Sequence, residues 1–204
     1  GGFMHRVIGL FVVLSLCSLP ALADERKQDL LHVDSGFGGS WAYGMNAFGI
    51  HGVAEPKIFI FDELAIGLRV DAGAQFGFGL ETGGDGAEVE AVLQIPVAQL
   101  VKVEYYLGKD GFRPFVGAGV GNYTMVLQSV STASQIPAVS QGVGNFFGVA
   151  PQIGLDFGGV RLAATYNYIL GGEIIVQQQV GDPKEFRRDY IGLELTFKTW
   201  GMSF

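Results

Sequence analysis

The chain contains little cysteine, few charged residues, and fewer basic than acidic residues. A single cysteine among 204 residues excludes both a disulfide within the chain and a cysteine-based zinc site. Charged residues make up only 16%, and the formal net charge of −7 argues against a nucleic-acid partner. Glycine is abundant instead. The 32 glycines far exceed the usual share of about 7%, and they follow no G-X-Y repeat, which excludes collagen.

The first 23 residues have the three parts of a secretory signal peptide. A short basic head precedes an apolar run over 7–19, which is too short for a membrane helix of about 20 residues. Small residues at Ala21 and Ala23 then fit a cleavage site. We therefore expect 1–23 (signal peptide with upstream residues) to be removed. The remainder, 24–204, is the expected mature domain, an exported acidic chain without thiols.

Most of the mature chain alternates between apolar and other residues with a period of two. In the clearest run every second residue from Leu64 to Phe78 is apolar. This period is that of a β-strand, because an amphipathic helix repeats about every 3.6 residues. Comparable runs, with a weaker first one, bring the number of predicted strands to eight. The predicted strands cover 30–37, 48–60, 64–78, 89–105, 113–121, 147–157, 160–170 and 191–197.

The connections between these strands alternate in length. Short turns and longer polar or glycine-rich loops follow one another along the chain. This order is typical of transmembrane barrels, which have tight periplasmic turns and longer outer loops. The predicted turns lie at 62–63, 108–111 and 158–159, and the predicted loops at 39–46, 79–86, 129–144 and 171–187.

The second face of the strands carries glycine and charges of both signs. A soluble β-sandwich, which is the alternative, needs an outer face rich in lysine, glutamate and threonine. Glycine serves such a face poorly because it weakens a strand and covers nothing. Inside a narrow barrel it leaves room for large neighbours. In lipid every strand edge must be paired. We therefore predict an all-β fold, a closed antiparallel up-and-down transmembrane β-barrel of about eight strands.

The charged residues of the second face are predicted to meet inside this barrel. Eight strands enclose a bore that side chains can fill. Because the signs are mixed, we expect the charges to pair and to close most of the lumen. The predicted lumen charge network consists of Glu55, Lys57, Arg69, Asp71, Lys102, Glu104, Arg113, Asp156, Arg161, Glu194 and Lys198.

Two segments resemble a known group of proteins. The stretch 112–123 reads FRPFVGAGVGNY and resembles the P-[YF]-V-G-x-G-x-G strand of small bacterial outer membrane barrels. These form the eight-stranded superfamily around outer membrane proteins A, W and X. The end of the chain, from Tyr190, looks like their terminal strand, in which an aromatic residue is read by the outer-membrane assembly machinery. The resemblance implies Phe197 and Phe204 as this assembly signal. It also implies a monomer in the outer membrane, with membrane lipids and the assembly machinery as partners.

Two features depart from the pattern. Pro96 falls within the strand predicted over 89–105, where a closed barrel has no free edge to accommodate it, so we expect a bulge there. At the end of the chain, Trp200 and Phe204 stand at even-numbered positions, whereas Phe197 and the apolar residues before it stand at odd-numbered ones. A regular strand would therefore place them on opposite faces. Either a bulge lies near 198–199, or the last residues leave the barrel.

The predicted function is a structural or surface-interaction role, with no enzymatic activity, cofactor or metal. A narrow channel or a hydrophobic-ligand transporter is one alternative, and the resemblance implies a ligand route through the outer half of the barrel. An enzyme acting on lipid A is the other. It would use histidine, serine and acidic residues of the first two strands, because a nucleophile needs a base within hydrogen-bond reach. The candidates are His32, Asp34, Ser35, Ser40 and His51.

Overall fold

The computed structural model describes residues 31–44, 46–83, 86–108, 111–131, 138–171 and 188–202, and it contains eight β-strands. The predicted signal peptide and Phe204 lie outside these residues. No helix in the described part of the chain is long and apolar enough to cross a membrane. The strands are β1 (Leu31–Ala42), β2 (Ala47–Phe61), β3 (Leu64–Gly83), β4 (Gly86–Tyr106), β5 (Arg113–Ser131), β6 (Ala138–Asp156), β7 (Val160–Leu170) and β8 (Tyr190–Met202).

The strands form a closed up-and-down barrel, as the alternation predicts. Each strand pairs antiparallel with the next in sequence, and β8 pairs with β1 to complete the ring. We call the end with the connections after β2, β4 and β6 the turn end, and the opposite end the loop end. At the turn after β6, Gly158 has a φ of 81°, and its N–H donates to the Asp156 side chain at 2.7 Å. Glycine suits this position because other residues rarely adopt such a φ.

The period of two separates an inner from an outer face on every strand. Alternate side chains point inward and are mostly buried, whereas the outward ones are apolar and exposed, as at Ile50 (74%) and Ile153 (64%). Aromatic residues gather toward both ends of this outer face. The loop-end belt consists of Trp41, Phe48, Phe76 and Phe147, and the turn-end belt of Phe61, Tyr105, Phe112 and Trp200.

The strands extend further toward the loop end than the sequence pattern predicts. The predicted loop 79–86 is almost entirely strand, because β3 ends at Gly83 and β4 begins at Gly86. Strand pairing likewise covers both ends of the predicted loop 129–144 and the first half of 39–46. These segments lack apolar alternation, but backbone hydrogen bonds continue a hairpin without it. Of the predicted loop 171–187, all but Gly171 lies outside the described residues.

The prediction of a bulge at Pro96 is wrong. β4 runs unbroken past this residue, and Pro96 pairs with Met125 of β5 in the same register as its neighbours. On the β3 side, pairing lapses beside Pro96 and resumes unshifted at Gln94 and Val97. Proline lacks an N–H, so it removes one hydrogen bond of one ladder. Here the second neighbouring strand keeps β4 straight.

A bulge does lie near the end of β8, and it resolves the change of parity there. Asp34 of β1 faces Lys198, while the adjacent Val33 faces Trp200, so Thr199 is the extra residue. The Thr199 hydroxyl donates to the Val33 carbonyl at 3.0 Å. One extra residue reverses the side-chain direction. Phe197 and Trp200 therefore both face outward despite their opposite parity.

Candidate functional site

The inside of the barrel is layered along its axis. Nearest the turn end lies an aromatic floor, formed by Phe59, Tyr106 and Phe115. Two guanidinium groups pack on it: Arg113 Cζ is 4.4 Å from the centre of the Tyr106 ring, and Arg161 Cζ is 4.3 Å from that of Phe115. Cations are attracted to aromatic faces, so the floor favours the positive charges that pack against it.

Above the floor lies a charge network of nine buried residues. Lys57 is at its centre, with its Nζ 2.6 Å from Glu55, 2.7 Å from Glu104 and 2.9 Å from Asp34. Lys102 adds a second ammonium group, 2.7 Å from both Glu55 and Glu104. The nine members are Asp34, Glu55, Lys57, Arg69, Asp71, Lys102, Glu104, Arg161 and Glu194.

Arg161 connects opposite sides of the barrel wall. It projects from β7, and its Nη1 lies 2.6 Å from Asp34 of β1 and 3.3 Å from Glu55 of β2. Its Nη2 donates to Glu104 of β4. Because these four strands surround the bore, the ion pairs of one arginine cross it. A charge held by several hydrogen-bonded partners is the arrangement that burial requires.

Arg69 forms the part of the network nearer the loop end. Its Nη1 donates to Glu194 at 2.7 Å, and its Nη2 donates to Asp71 at 2.8 Å. Gln152 also donates to Glu194. A contact of 3.7 Å between Arg69 and Glu55 joins this part to the rest. Residues of four strands, β2, β3, β6 and β8, thus hold one another across the interior at this level.

The structure places ten of the eleven predicted lumen charges among the buried residues. Eight belong to the charge network, and Arg113 and Asp156 form a separate pair at 3.1 Å beside the floor. Lys198 differs, because it is only half-buried, next to the bulge. Asp34 was missing from the predicted set, although its parity on β1 places it inward. The sequence indicates Asp34 only as a candidate for catalysis.

Inward glycines make the room that these long side chains need. A Cβ at Gly117 would lie 3.2 Å from Cγ of Glu104, and one at Gly67 would lie 3.0 Å from Cβ of Lys57. Such distances are too short for ordinary packing. The glycines of the inner face therefore stand where charged side chains of the next strand lie across them, as the composition of that face predicts.

Toward the loop end the interior becomes apolar. Leu100, Met125 and Leu127 are at most 3% exposed and belong to one cluster with Tyr123 and Tyr190. Few charges lie at this level of the described interior, in contrast to the level of the charge network. At the loop-end rim, the hydroxyls of Tyr43 and Tyr166 lie 2.9 Å apart, and both donate to Asp189.

The candidates for a lipid A enzyme do not form one constellation. His32 and Asp34 do lie together, 3.5 Å apart, but near the turn end. Ser35 faces outward, and Ser40 accepts a hydrogen bond from Gln75 at 3.0 Å. His51 lies further along the barrel, opposite Gly38 of β1. The idea that His51 lies across the His32–Asp34 pair is therefore wrong, because the register aligns Lys57 with His32.

Residues 45–165 match the family model described as the OmpW family. This is more than half of the chain. The chain belongs to the OmpW family. It is therefore an outer membrane β-barrel protein, as the resemblance implies, in a family that is generally non-enzymatic. In this OmpW-family barrel the turn end faces the periplasm and the loop end faces the outside, as in other barrels of this type.

The comparisons with individual proteins add little to this assignment. No curated protein matches the chain. Among solved structures, Neisserial surface protein A (NspA) aligns with 14% identity and a TM-score of 0.40, covering 82% of this chain and 95% of NspA. The N-terminal β-barrel domain of Pseudomonas aeruginosa OprF aligns with 14% identity and a TM-score of 0.39, covering 84% of this chain and 98% of that domain.

Proposed function

We propose that this OmpW-family barrel is a structural and surface-interaction protein whose lumen is closed to ions. The observation that carries this proposal is the set of ion pairs by which Arg161 reaches Asp34, Glu55 and Glu104 across the bore. An ion passing through would have to displace groups that are held by several charged partners and by the floor beneath them. Separating such a buried pair is costly, because each charge is left without compensation.

A closed lumen leaves the outer wall and the loop-end rim as the surfaces that can act. We propose that the wall binds outer membrane lipids, that the barrel is a monomer, and that Phe197 and Phe204 are recognised during assembly. Of these two, Phe197 is outward-facing at 39% exposure, which supports its accessibility in β8. Recognition residues on membrane barrels lie typically in the connections between strands, because a rigid wall holds these in place.

Planar-bilayer recording tests the closed lumen. Purified full-length barrel should give no stepwise ion conductance, whereas Arg161→Ala should give measurable current because it removes the cation that crosses the bore. Lys198→Gln is the matched control: it also removes one positive charge, but from a half-buried position beside the bulge. It should behave as the unmodified protein does.

Steady unitary conductance from the unmodified barrel would overturn the proposal and favour the narrow channel. A closed Arg161→Ala variant would also count against it, provided that the variant still shows the heat-dependent shift in gel mobility of a folded barrel. A route for hydrophobic ligands through the apolar loop half stays a prediction, as does the absence of a lipid A reaction.

A further inference from the structure

We propose that His51, Asp71 and Glu194 form a lumen site for a divalent transition-metal ion of the Zn²⁺ class. The three side chains come from β2, β3 and β8, and each is at most 4% exposed. One potential ligand atom from each residue lies within 4.8 Å of the other two. Among the described residues, this is the group of three potential metal ligands that lie this close together. An imidazole with two carboxylates is a donor set that Zn²⁺ accepts. This inference is independent of whether the lumen conducts ions.

The imidazole of His51 is the observation that points to a ligand. It is buried, yet neither ring nitrogen has a hydrogen-bond partner. Its Nε2 lies 3.7 Å from Glu194 Oε2, too far for a hydrogen bond but directed at the carboxylate. Buried polar atoms are nearly always satisfied, so an orphaned imidazole between two acids requires an explanation. A metal ion between the three groups provides one.

Glycines on three strands form a cradle for this ring. His51 lies across β1 to reach β8, and a Cβ at Gly38 would be 2.7 Å from its Cε1. A Cβ at Gly192 would be 3.2 Å from the same atom, and one at Gly73 would be 2.8 Å from the His51 Cβ. Any larger residue at these places would push the ring away from Glu194. The local sequence thus keeps the imidazole at the two carboxylates.

The surrounding polar groups orient the carboxylates without using all of their oxygen lone pairs. Arg69 donates to both acids, and Gln152 donates to Glu194. Asp71 uses only its Oδ2 in the contact with Arg69. Ligating carboxylates are commonly held by such outer hydrogen bonds, which fix their direction. Arg69 in this arrangement is a positioning residue rather than a ligand.

The charge balance of the network favours an added cation. The nine-residue network contains five carboxylates but only the four cations Lys57, Arg69, Lys102 and Arg161. An uncompensated negative charge is costly in a buried site. A metal ion at His51 supplies positive charge on the side of the network where Asp71 and Glu194 share a single arginine. A proton on His51 is the competing source of that charge.

Binding requires a modest closure of the site. Ligand atoms around a tetrahedral Zn²⁺ are about 3.3 Å apart, given metal–ligand distances of about 2.0–2.1 Å. The present spread of up to 4.8 Å must therefore decrease by roughly 1.5 Å. Rotation of the imidazole and of the two carboxylates supplies movement of this size without a change in the strands.

Titration calorimetry of the full-length barrel in detergent tests the site. The protein is stripped with a chelator and titrated with Zn²⁺. We expect one ion per barrel, and at least a 10-fold weaker affinity for His51→Ala. His32→Ala is the matched control. His32 is also a buried histidine, and it lies 3.5 Å from the Asp34 carboxylate, but it does not belong to the group of three potential ligands formed by His51, Asp71 and Glu194. It should bind as the unmodified barrel does.

A second variant and a second readout keep the test decisive. Gly192→Ala leaves all three ligands in place but fills the cradle, so it should also weaken Zn²⁺ binding. Co²⁺ in place of Zn²⁺ should give the visible absorption bands of a four-coordinate nitrogen–oxygen site, which His51→Ala abolishes. Folding of each variant is verified by its gel shift on heating. Absence of stoichiometric binding, or equal binding by His51→Ala, overturns the proposal. Histidine NMR that shows His51 protonated and unaffected by Zn²⁺ likewise assigns the charge to a proton instead.

Discussion

At the scale of single residues, the interior depends on pairing large charged side chains with positions that have no side chain at all. The glycines of the inner and the outer face are not equivalent, however. A Cβ at Gly36 would lie 2.6 Å from the Cα of Thr196 on β8, whereas one at Gly52 would meet nothing nearer than an oxygen at 3.9 Å. Gly36 points into the barrel and Gly52 points out of it. The cost of a methyl group should therefore differ sharply between neighbouring strands.

We predict that Gly36→Ala destabilises the barrel by about 1–3 kcal/mol, because the backbone of β8 must move to admit the methyl group. Gly52→Ala should be neutral or should stabilise it by up to about 1 kcal/mol, since alanine reduces the freedom of the unfolded chain. Urea unfolding in lipid vesicles measures both. Equal losses from the two variants would show that close approach of β1 and β8 is not what requires Gly36.

The residue-scale features were predictable only in part. Parity along each strand predicts which charges face inward, and the structure places ten of the eleven inside. Parity does not predict which charges meet, because the stagger between strands decides that. Glu194 and His51 are separated by most of the chain, and only the closure of β8 on β1 brings them together. Strand parity alone therefore does not predict that these potential ligands meet.

At the scale of strands, the alternation predicts all eight elements, but it does not predict where they end. Apolar alternation marks the part of a strand that faces lipid, and pairing continues beyond it through polar and glycine-rich residues such as those of 138–146. Pro96 shows a similar limit. A proline counts against a strand only when its single lost hydrogen bond is not offset, and here the second neighbouring strand keeps the register.

The bulge at Thr199 leads to a prediction for β8. Deleting Thr199 should leave Trp200 opposite Val33 and facing the lipid, because the remaining residues of β8 then alternate without an extra one. We expect a folded fraction close to that of the unmodified protein, measured as the share of protein that changes mobility on heating. Thr199→Ala is the control: it removes only the hydroxyl bond to Val33, worth about 1 kcal/mol, and retains the extra residue. A deletion variant that folds clearly less than this control would mean that the bulge itself, and not only the outward position of Trp200, is required.

At the scale of the whole molecule, the outer face has the dimensions of a membrane. From Leu64 near the turn-end belt to Phe76 in the loop-end belt, β3 spans roughly 30 Å along the barrel axis, at about 3.3 Å per residue and a tilt of about 40°. Aliphatic side chains cover the zone between the belts, as at Leu68 and Val103. Aromatic girdles at both interfaces are typical of barrels in lipid.

The two tryptophans of the chain, Trp41 and Trp200, belong to opposite belts. In vesicles of brominated lipid we expect the fluorescence of both to be quenched, and more strongly by bromine near the headgroup than by bromine at the chain end. Trp41→Phe and Trp200→Phe separate the two signals. A tryptophan that is quenched most by bromine at the chain end would place its belt at the bilayer centre and contradict the assignment of the band.

The seam between β1 and β8 has a consequence for biogenesis. It pairs Leu31 with Met202, so the ring closes only when the last strand has been delivered. A chain that stops before Tyr190 has two bare edges, and lipid contains no water to satisfy them. Such a chain should fail to insert because of its unpaired strand edges alone. The bilayer thus selects for chains that include β8, because only these can pair both edges of the ring.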